Sequence, residues 1–155
     1  MKANRTKAAV IGTVLAGGAA AAILGSSAPA LAFSSGGLTL NVTPLSPATL
    51  VDRGAAVDVP VDVECNATGF TDLTLQLTER VGGQIATGST DVSVACNGGH
   101  QRLLVRVPAS SITTTSGRPF SKGQAVATAS IFGCNNDTGT CGQESNNDVT
   151  IEITK

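Results

Sequence analysis

The sequence predicts an all-β protein, an antiparallel β-sandwich of immunoglobulin-like architecture with seven to eight strands and two disulfides. Three observations lead to this fold. Apolar and polar residues alternate in several short runs, turn-forming Gly and Asn clusters separate those runs, and four cysteines stand in a chain that begins with an export signal. No segment after that signal has the spacing of an amphipathic helix.

Residues 1–32 predict a cleaved secretory signal peptide. A basic segment, an apolar segment and a small-residue cleavage motif follow one another: Lys2, Arg5 and Lys7, then residues 8–24, then Ala30 and Ala32. Cleavage is expected between Ala32 and Phe33. The alternative is a transmembrane anchor, but the apolar stretch is rich in Ala and Gly and falls at the short end of what crosses a bilayer.

The remaining segment, residues 33–155, predicts a single sandwich domain that is secreted to the extracellular space and free of the membrane after cleavage. Without the leader it holds seven basic and eleven acidic residues, a formal charge of −4. That balance excludes nucleic acid as a partner, because Arg102 and Arg106 form only a weak basic stripe without aromatic residues between them.

Runs of period two predict the strands. In residues 57–65 every odd position is apolar, which is typical of a strand with one buried face. Pro60 falls on the polar side and cannot donate a backbone hydrogen bond, so we expect this strand to lie at an edge or to carry a bulge. The other predicted strands are residues 38–42, 73–78, 92–96, 101–107, 124–132 and 149–153.

Turn formers occupy the gaps between these runs, at residues 66–69, 82–83, 97–99 and 135–147. Residues 108–122 show no clear alternation. They predict a loop that crosses between the two sheets.

Four cysteines in an exported chain allow three disulfide pairings. Cys65 and Cys96 each end an alternating run on its apolar phase, whereas Cys134 and Cys141 bracket a short polar loop. We therefore expect Cys65 to pair with Cys96 and Cys134 with Cys141. A zinc motif would place cysteines two to four residues apart, and a redox centre would use C-x-x-C.

Candidate catalytic groups are few. His100 follows a Gly-Gly turn and predicts a surface residue, because the sequence holds no G-x-S-x-G motif and every cysteine is assigned to a bridge. Asp58, Asp62 and Glu64 alternate on one strand face. Two of these carboxylates could serve as the catalytic pair of a glycosidase, but the absence of Trp and Tyr argues against a sugar-binding cleft. We therefore expect a solvated strand face whose charges discourage pairing with the edge strand of another molecule.

The Asn-rich loop offers a metal-binding alternative. Residues 135–139 supply oxygen ligands suited to calcium, but their spacing does not match an EF-hand, and an ordinary disulfide-closed turn is the simpler prediction. Asn41, Asn66 and Asn136 stand in glycosylation sequons, which matter only in a host that modifies them. No catalytic, cofactor-binding or metal-binding residue is predicted.

The stretch VDVPVDVEC behind an Ala-rich leader, followed by LQLTERVGGQIATG and VSVAC, resembles uncharacterised small secreted proteins of actinobacteria over most of residues 33–155. This resemblance implies an immunoglobulin-like sandwich with two disulfides and no known activity. A weaker similarity, carried by the late cysteine loop, is to neocarzinostatin-type apoproteins. It implies carriage of a hydrophobic small molecule, with Phe70, Phe120 and Phe132 as the aromatic candidates for a pocket.

These observations favour a secreted, non-enzymatic module that binds a partner or acts at the cell surface. The first alternative is a small-molecule carrier, which requires a concave pocket lined by Phe and Leu. The second is an inhibitor of secreted proteases, in which the loop between Cys134 and Cys141 or residues 110–119 would enter an active site.

Overall fold

The computed structural model describes residues 32–110 and 117–155. The predicted leader, apart from Ala32, and residues 111–116 of the predicted crossing loop lie outside the described residues. Nine strands and one short 3₁₀ turn, Asp52–Gly54, make up the described part: β1 (Phe33–Ser35), β2 (Leu38–Pro44), β3 (Ala48–Val51), β4 (Ala56–Cys65), β5 (Thr71–Val81), β6 (Gln84–Ser93), β7 (His100–Pro108), β8 (Gly123–Asn135) and β9 (Thr140–Thr154). The predicted all-β sandwich with two disulfides is confirmed, with nine strands in place of seven or eight.

The strands form two facing layers. Strands β1, β2, β4 and β7 make one layer, here called the β4 sheet, and β6, β5, β8 and β9 make the other, the β8 sheet. Strand β3 joins the two, because it pairs antiparallel with β4 (Leu50 opposite Val57) and parallel with β9 (Ala48 opposite Ile153). Strand β2 packs across β8 and β9 without hydrogen-bonding to them. The sheet is not closed into a barrel.

The core lies between these layers and follows directly from the period-two pattern. In β4 and β5 the apolar positions point inward and are buried, while the polar positions between them face solvent. Each fully buried Val, Leu or Ile contributes about 1.5–3 kcal/mol through removal of apolar surface from water. The largest fully buried side chains are Leu38, Leu40, Val42, Val57, Val59, Val61, Leu73, Leu75, Leu77, Ile131, Ile151 and Ile153.

The position predicted for Pro60 is wrong. Strand β4 pairs with β7 from Ala56 to Glu64 in continuous register, and on its other side with β2 and then β3. Leu45 N donates to Pro60 O at 2.8 Å. Because N and O of one residue in an antiparallel strand point to the same side, Pro60 N faces the gap where β2 ends and β3 begins. The missing N–H therefore costs no ladder bond in this interior strand.

The strand predicted at residues 92–96 is also wrong in extent. Strand β6 begins at Gln84 and ends at Ser93, and residues 94–97 lie outside the strand. Val94 N still donates to Thr71 O at 2.8 Å, in register with the β5–β6 pairing. Two residues further on, Cys96 is bonded to Cys65. Strands β1 and β3 were not predicted, since three or four residues are too few to show alternation.

The predicted turn at 135–147 is mostly strand. Only residues 136–139 form a turn, and β9 begins at Thr140. Ala127 pairs with Val149 and Ala129 with Asn146, so two residues of β9 oppose Thr128 in a β-bulge where Asp148 has φ 57°. The polar composition and this bulge hide the period-two pattern of β9.

Residues 117–122 close one end of the sandwich as they lead from β7 in one sheet to β8 in the other, as predicted for the crossing segment. Phe120 is buried in the core, and its N donates to Gly54 O at 2.9 Å. Gly54 has φ 95°, and a Cβ on it would overlap Phe120 O. Glycine is thus required there both for backbone conformation and for space.

Candidate functional site

Both disulfides are paired as expected. Cys65 at the end of β4 is bonded to Cys96 after β6, with 5.2 Å between the Cα atoms, so this bridge ties the two sheets together. Cys134 and Cys141 are register partners across the β8–β9 hairpin, with Cα atoms 4.0 Å apart. The two bridges involve all four cysteines of the chain. Their role is to restrict the unfolded chain.

The acidic residues of β4 face the basic residues of β7 across the ladder. Register places Asp58 opposite Arg106, Asp62 opposite Arg102 and Glu64 opposite His100. Strand β4 is interior, so the expectation that its acids discourage edge pairing is wrong. They pair instead with residues of the neighbouring strand.

The tightest of these pairs joins Arg106 and Asp58. Arg106 Nε donates to Asp58 Oδ1 at 2.7 Å and Arg106 Nη2 to Asp58 Oδ2 at 2.9 Å. These hydrogen bonds hold the pKa of Asp58 below its ordinary value of 3.8, against partial burial, which raises it. An acid held ionised in this way is a poor proton donor.

His100 lies on the same face, exposed beside two carboxylates. Its Nδ1 is 3.7 Å from Asp62 Oδ2 and its Nε2 is 3.5 Å from Glu64 Oε2. The structure therefore places this imidazole next to acids at the surface of the β4 sheet. Its surface position agrees with the prediction.

The hairpin loop uses its oxygen atoms to build the turn. Asn135 Oδ1 accepts hydrogen bonds from Asp137 N at 2.9 Å and from Thr68 Oγ1 at 3.1 Å. Across residues 32–110 and 117–155, no three His, Cys, Asp or Glu side chains come together in a metal-holding group. The amide of Asn135 is thus engaged in local structure.

The three sequons differ in accessibility. Asn66 uses both ends of its amide, since Oδ1 accepts from Thr39 N at 2.7 Å and Nδ2 donates to Gly37 O at 2.8 Å. Asn41 Oδ1 is buried without a hydrogen-bond partner among the described residues. Asn136 is exposed in the hairpin turn.

The phenylalanines suggested for a pocket lie in two separate places. Phe120 is in the core, whereas Phe70 is 59% exposed and Phe132 37% exposed on the outside of the β8 sheet. The rings of Phe70 and Phe132 pack together, with centroids 5.5 Å apart and planes tilted by 38°. The structure brings these two together and leaves Phe120 apart.

Phe132 stands in a row of outward-facing residues that crosses four strands. Its register partners are Asp72 on β5 and Gln143 on β9, and Asp72 in turn pairs with Ser93 on β6. Ser93 Oγ donates to Asp72 Oδ1 at 3.0 Å. We call the surface formed by Phe70, Phe132, Asp72 and Gln143 the aromatic end, and it is the candidate functional site.

The sequence did not predict that these four residues lie together, although it contains one indication of the site. Inward positions of β8 are odd-numbered, so an aromatic residue at 132 falls on the solvent phase of the run. A single exposed apolar side chain is common on protein surfaces, so this signal gains weight only when a second aromatic ring packs beside it. Phe70 lies in a turn between strands, where no periodicity exists to place it.

Helical structure in the described ranges is limited to the three-residue turn Asp52–Gly54, far too short to cross a bilayer.

No protein-family model matches this chain, and no curated protein matches it. Solved structures that resemble it include a fimbrial subunit and a carbohydrate-binding module. AggA, the major subunit of aggregative adherence fimbriae type I from Escherichia coli, is 14% identical with a TM-score of 0.35, over 76% of this chain and 94% of that one. A family 9 carbohydrate-binding module from Caldicellulosiruptor kristjanssonii, in complex with glucose, is 9% identical with a TM-score of 0.40, over 81% of this chain and 82% of that one. These likenesses concern the fold alone.

Proposed function

We propose that this chain is an exported, non-enzymatic binding module of the cell surface or its surroundings, and that it contacts its partner through the aromatic end. The observation that carries the proposal is the pair Phe70 and Phe132, two large apolar side chains held together outside the core. Exposed apolar patches rimmed by polar residues mark interaction sites.

Two further observations support export and the absence of catalysis. Both disulfides require an oxidising compartment to form and persist. All four cysteines are bonded, and His100 faces carboxylates at an exposed surface instead of a nucleophile. Cleavage after Ala32 and kinship with actinobacterial secreted proteins remain part of the proposal.

The carrier and inhibitor alternatives have less support. A carrier of the neocarzinostatin type would gather its aromatic residues in one cavity, but Phe120 is in the core and Phe70 and Phe132 are outside it. An inhibitor would present an extended segment, whereas residues 136–139 of the loop between Cys134 and Cys141 form a tight turn. Of the other segment suggested for this role, residues 110–119, positions 111–116 lie outside the described residues.

A cosedimentation assay tests the proposal. Purified protein is incubated with envelope fragments of the cells that express it, and the bound fraction is measured for wild type, for Phe70→Ala/Phe132→Ala and for Leu104→Ala. Leu104 is a matched control, since it is 69% exposed on β7 in the other sheet. We expect wild type and the control to sediment and the double variant to stay in solution. Equal sedimentation of all three proteins, or of none, would contradict the proposal.

A further inference from the structure

The exposed apolar area of the aromatic end suits a small ligand. Phe70 is 59% exposed and Phe132 37%, and at about 150–250 Å² per aromatic side chain the two rings offer on the order of 200 Å². A stable protein interface covers roughly 800 Å² on each partner. An apolar area of this size matches the apolar faces of one or two pyranose rings, whereas a protein partner would have to extend its contact over several times that area.

Hydrogen-bonding groups stand on both sides of Phe132. Its register partners Asp72 and Gln143 place a carboxylate and an amide on the same face as the ring. The bond from Ser93 Oγ orients the carboxylate of Asp72. A sugar hydroxyl both donates and accepts, so it is complementary to a carboxylate acceptor and to an amide that does both.

The face continues beyond the aromatic end with hydroxyl and amide side chains. Thr74 Oγ1 donates to Asp91 Oδ1 at 2.6 Å in the next row. The two rows after the aromatic end are Asp91, Thr74, Ser130 and Ser145, followed by Ser89, Gln76 and Thr128. A phosphate or sulfate group would meet Asp91 there, next to Asp72 of the aromatic end, and no lysine or arginine in either row, so the surface disfavours anions.

From this arrangement we infer that the ligand of the aromatic end is a neutral carbohydrate. Its ring packs on Phe132 and Phe70, and its hydroxyls bond to Asp72 and Gln143. The inference rests on the proposed function and names the ligand class of the same site. The absence of Trp and Tyr argued against a sugar platform in the sequence, but the fold pairs two phenylalanines that supply the stacking surface.

Calorimetric titration of the purified protein with cellohexaose, xylohexaose, maltohexaose and mannohexaose tests the inference directly. We expect at least one of the four to bind. Phe132→Ala should weaken that binding at least tenfold, and Gln143→Ala should weaken it several-fold, because each removes a different contact. Leu104→Ala should bind as wild type does. An oligosaccharide that binds wild type and Phe132→Ala equally would overturn the assignment of the site.

Chemical treatment of the envelope fragments separates this inference from the proposed function. Periodate cleaves the vicinal diols of sugars, whereas proteinase K removes protein. For a carbohydrate ligand, periodate abolishes sedimentation that depends on Phe70 and Phe132, and proteinase K leaves it intact. If periodate has no effect and none of the four oligosaccharides binds, the carbohydrate inference is overturned while the binding module stands. Sedimentation independent of the two rings defeats the proposed function itself.

Discussion

Glu79, 2% exposed, receives two hydrogen bonds from Ser121. Ser121 Oγ donates to Glu79 Oε1 at 2.7 Å and Ser121 N to Glu79 Oε2 at 2.8 Å. Glu79 occupies an inward position of β5, in phase with Leu75 and Leu77. A buried carboxylate thus fastens the crossing segment that carries Phe120 to the end of β5.

Ser121→Ala removes the hydroxyl donor from this buried carboxylate. Leaving a buried hydrogen-bond acceptor without its partner costs about 1–3 kcal/mol. We expect a drop of that size in the free energy of unfolding, measured by urea denaturation. Ser130→Ala, on the outer face of β8, is the control and should change it by less than about 0.5 kcal/mol. Equal effects of the two substitutions would mean that the hydrogen bond between Ser121 and Glu79 does not stabilise the fold.

The ion pair between Arg106 and Asp58 makes the free energy of unfolding depend on pH in the acidic range. Because the pKa of Asp58 is lower in the folded chain than its ordinary value of 3.8, the pair's contribution is fully present above that value. It is lost as pH falls through the lowered folded pKa. Arg106→Gln should therefore be less stable than wild type at pH 7, and the difference should be smaller at pH 2.

Chemical denaturation at both pH values measures this difference. Arg102→Gln serves as the control, since Arg102 lies opposite Asp62 on the same strand face but forms no salt bridge with a described residue. Added salt should reduce the effect at pH 7, because Arg106 is largely exposed. A difference that persists unchanged at pH 2 would show that Arg106 acts through packing of its side chain.

The two disulfides should differ in their contribution to stability. Cys65–Cys96 spans a sequence separation of 31 and Cys134–Cys141 one of 7. The chain-entropy relation gives about 3.7 kcal/mol for the longer ring and about 2.5 kcal/mol for the shorter. Replacing each pair by alanines should therefore lower the denaturation midpoint more for Cys65 and Cys96. The opposite order would show that the unfolded-state account does not hold here.

Gly54 should tolerate alanine less well than Gly37. Both residues have positive φ, 95° and 78°, so both substitutions carry the backbone cost of roughly 1–2 kcal/mol. At Gly37 a Cβ meets open space, whereas at Gly54 it overlaps Phe120 O. Overpacking adds about 1–3 kcal/mol. Comparing the thermal unfolding of the two alanine variants measures the cost of this overlap. Equal losses of stability would mean that the crossing segment moves to accommodate the added methyl group.

The local pattern of the chain was sufficient for most of the fold. Alternation in residues 57–65 and 73–78 predicted β4 and β5 because a half-buried strand must place apolar residues at every second position. The same alternation placed Cys65 with Cys96, and the short polar loop between Cys134 and Cys141 placed these two together. It failed for β9, where a bulge and polar residues interrupt the period, and for the very short β1 and β3.

The sequence by itself determined the strand-rich sandwich and the disulfide pairs, because these depend on residue type and on spacing along the chain. Only the tertiary structure decided that Pro60 faces a gap between strands, that Ser121 satisfies Glu79 and that Phe70 meets Phe132. Each of these depends on which strands become neighbours and in what register. That choice follows from packing of the whole core and leaves no local signature in the sequence.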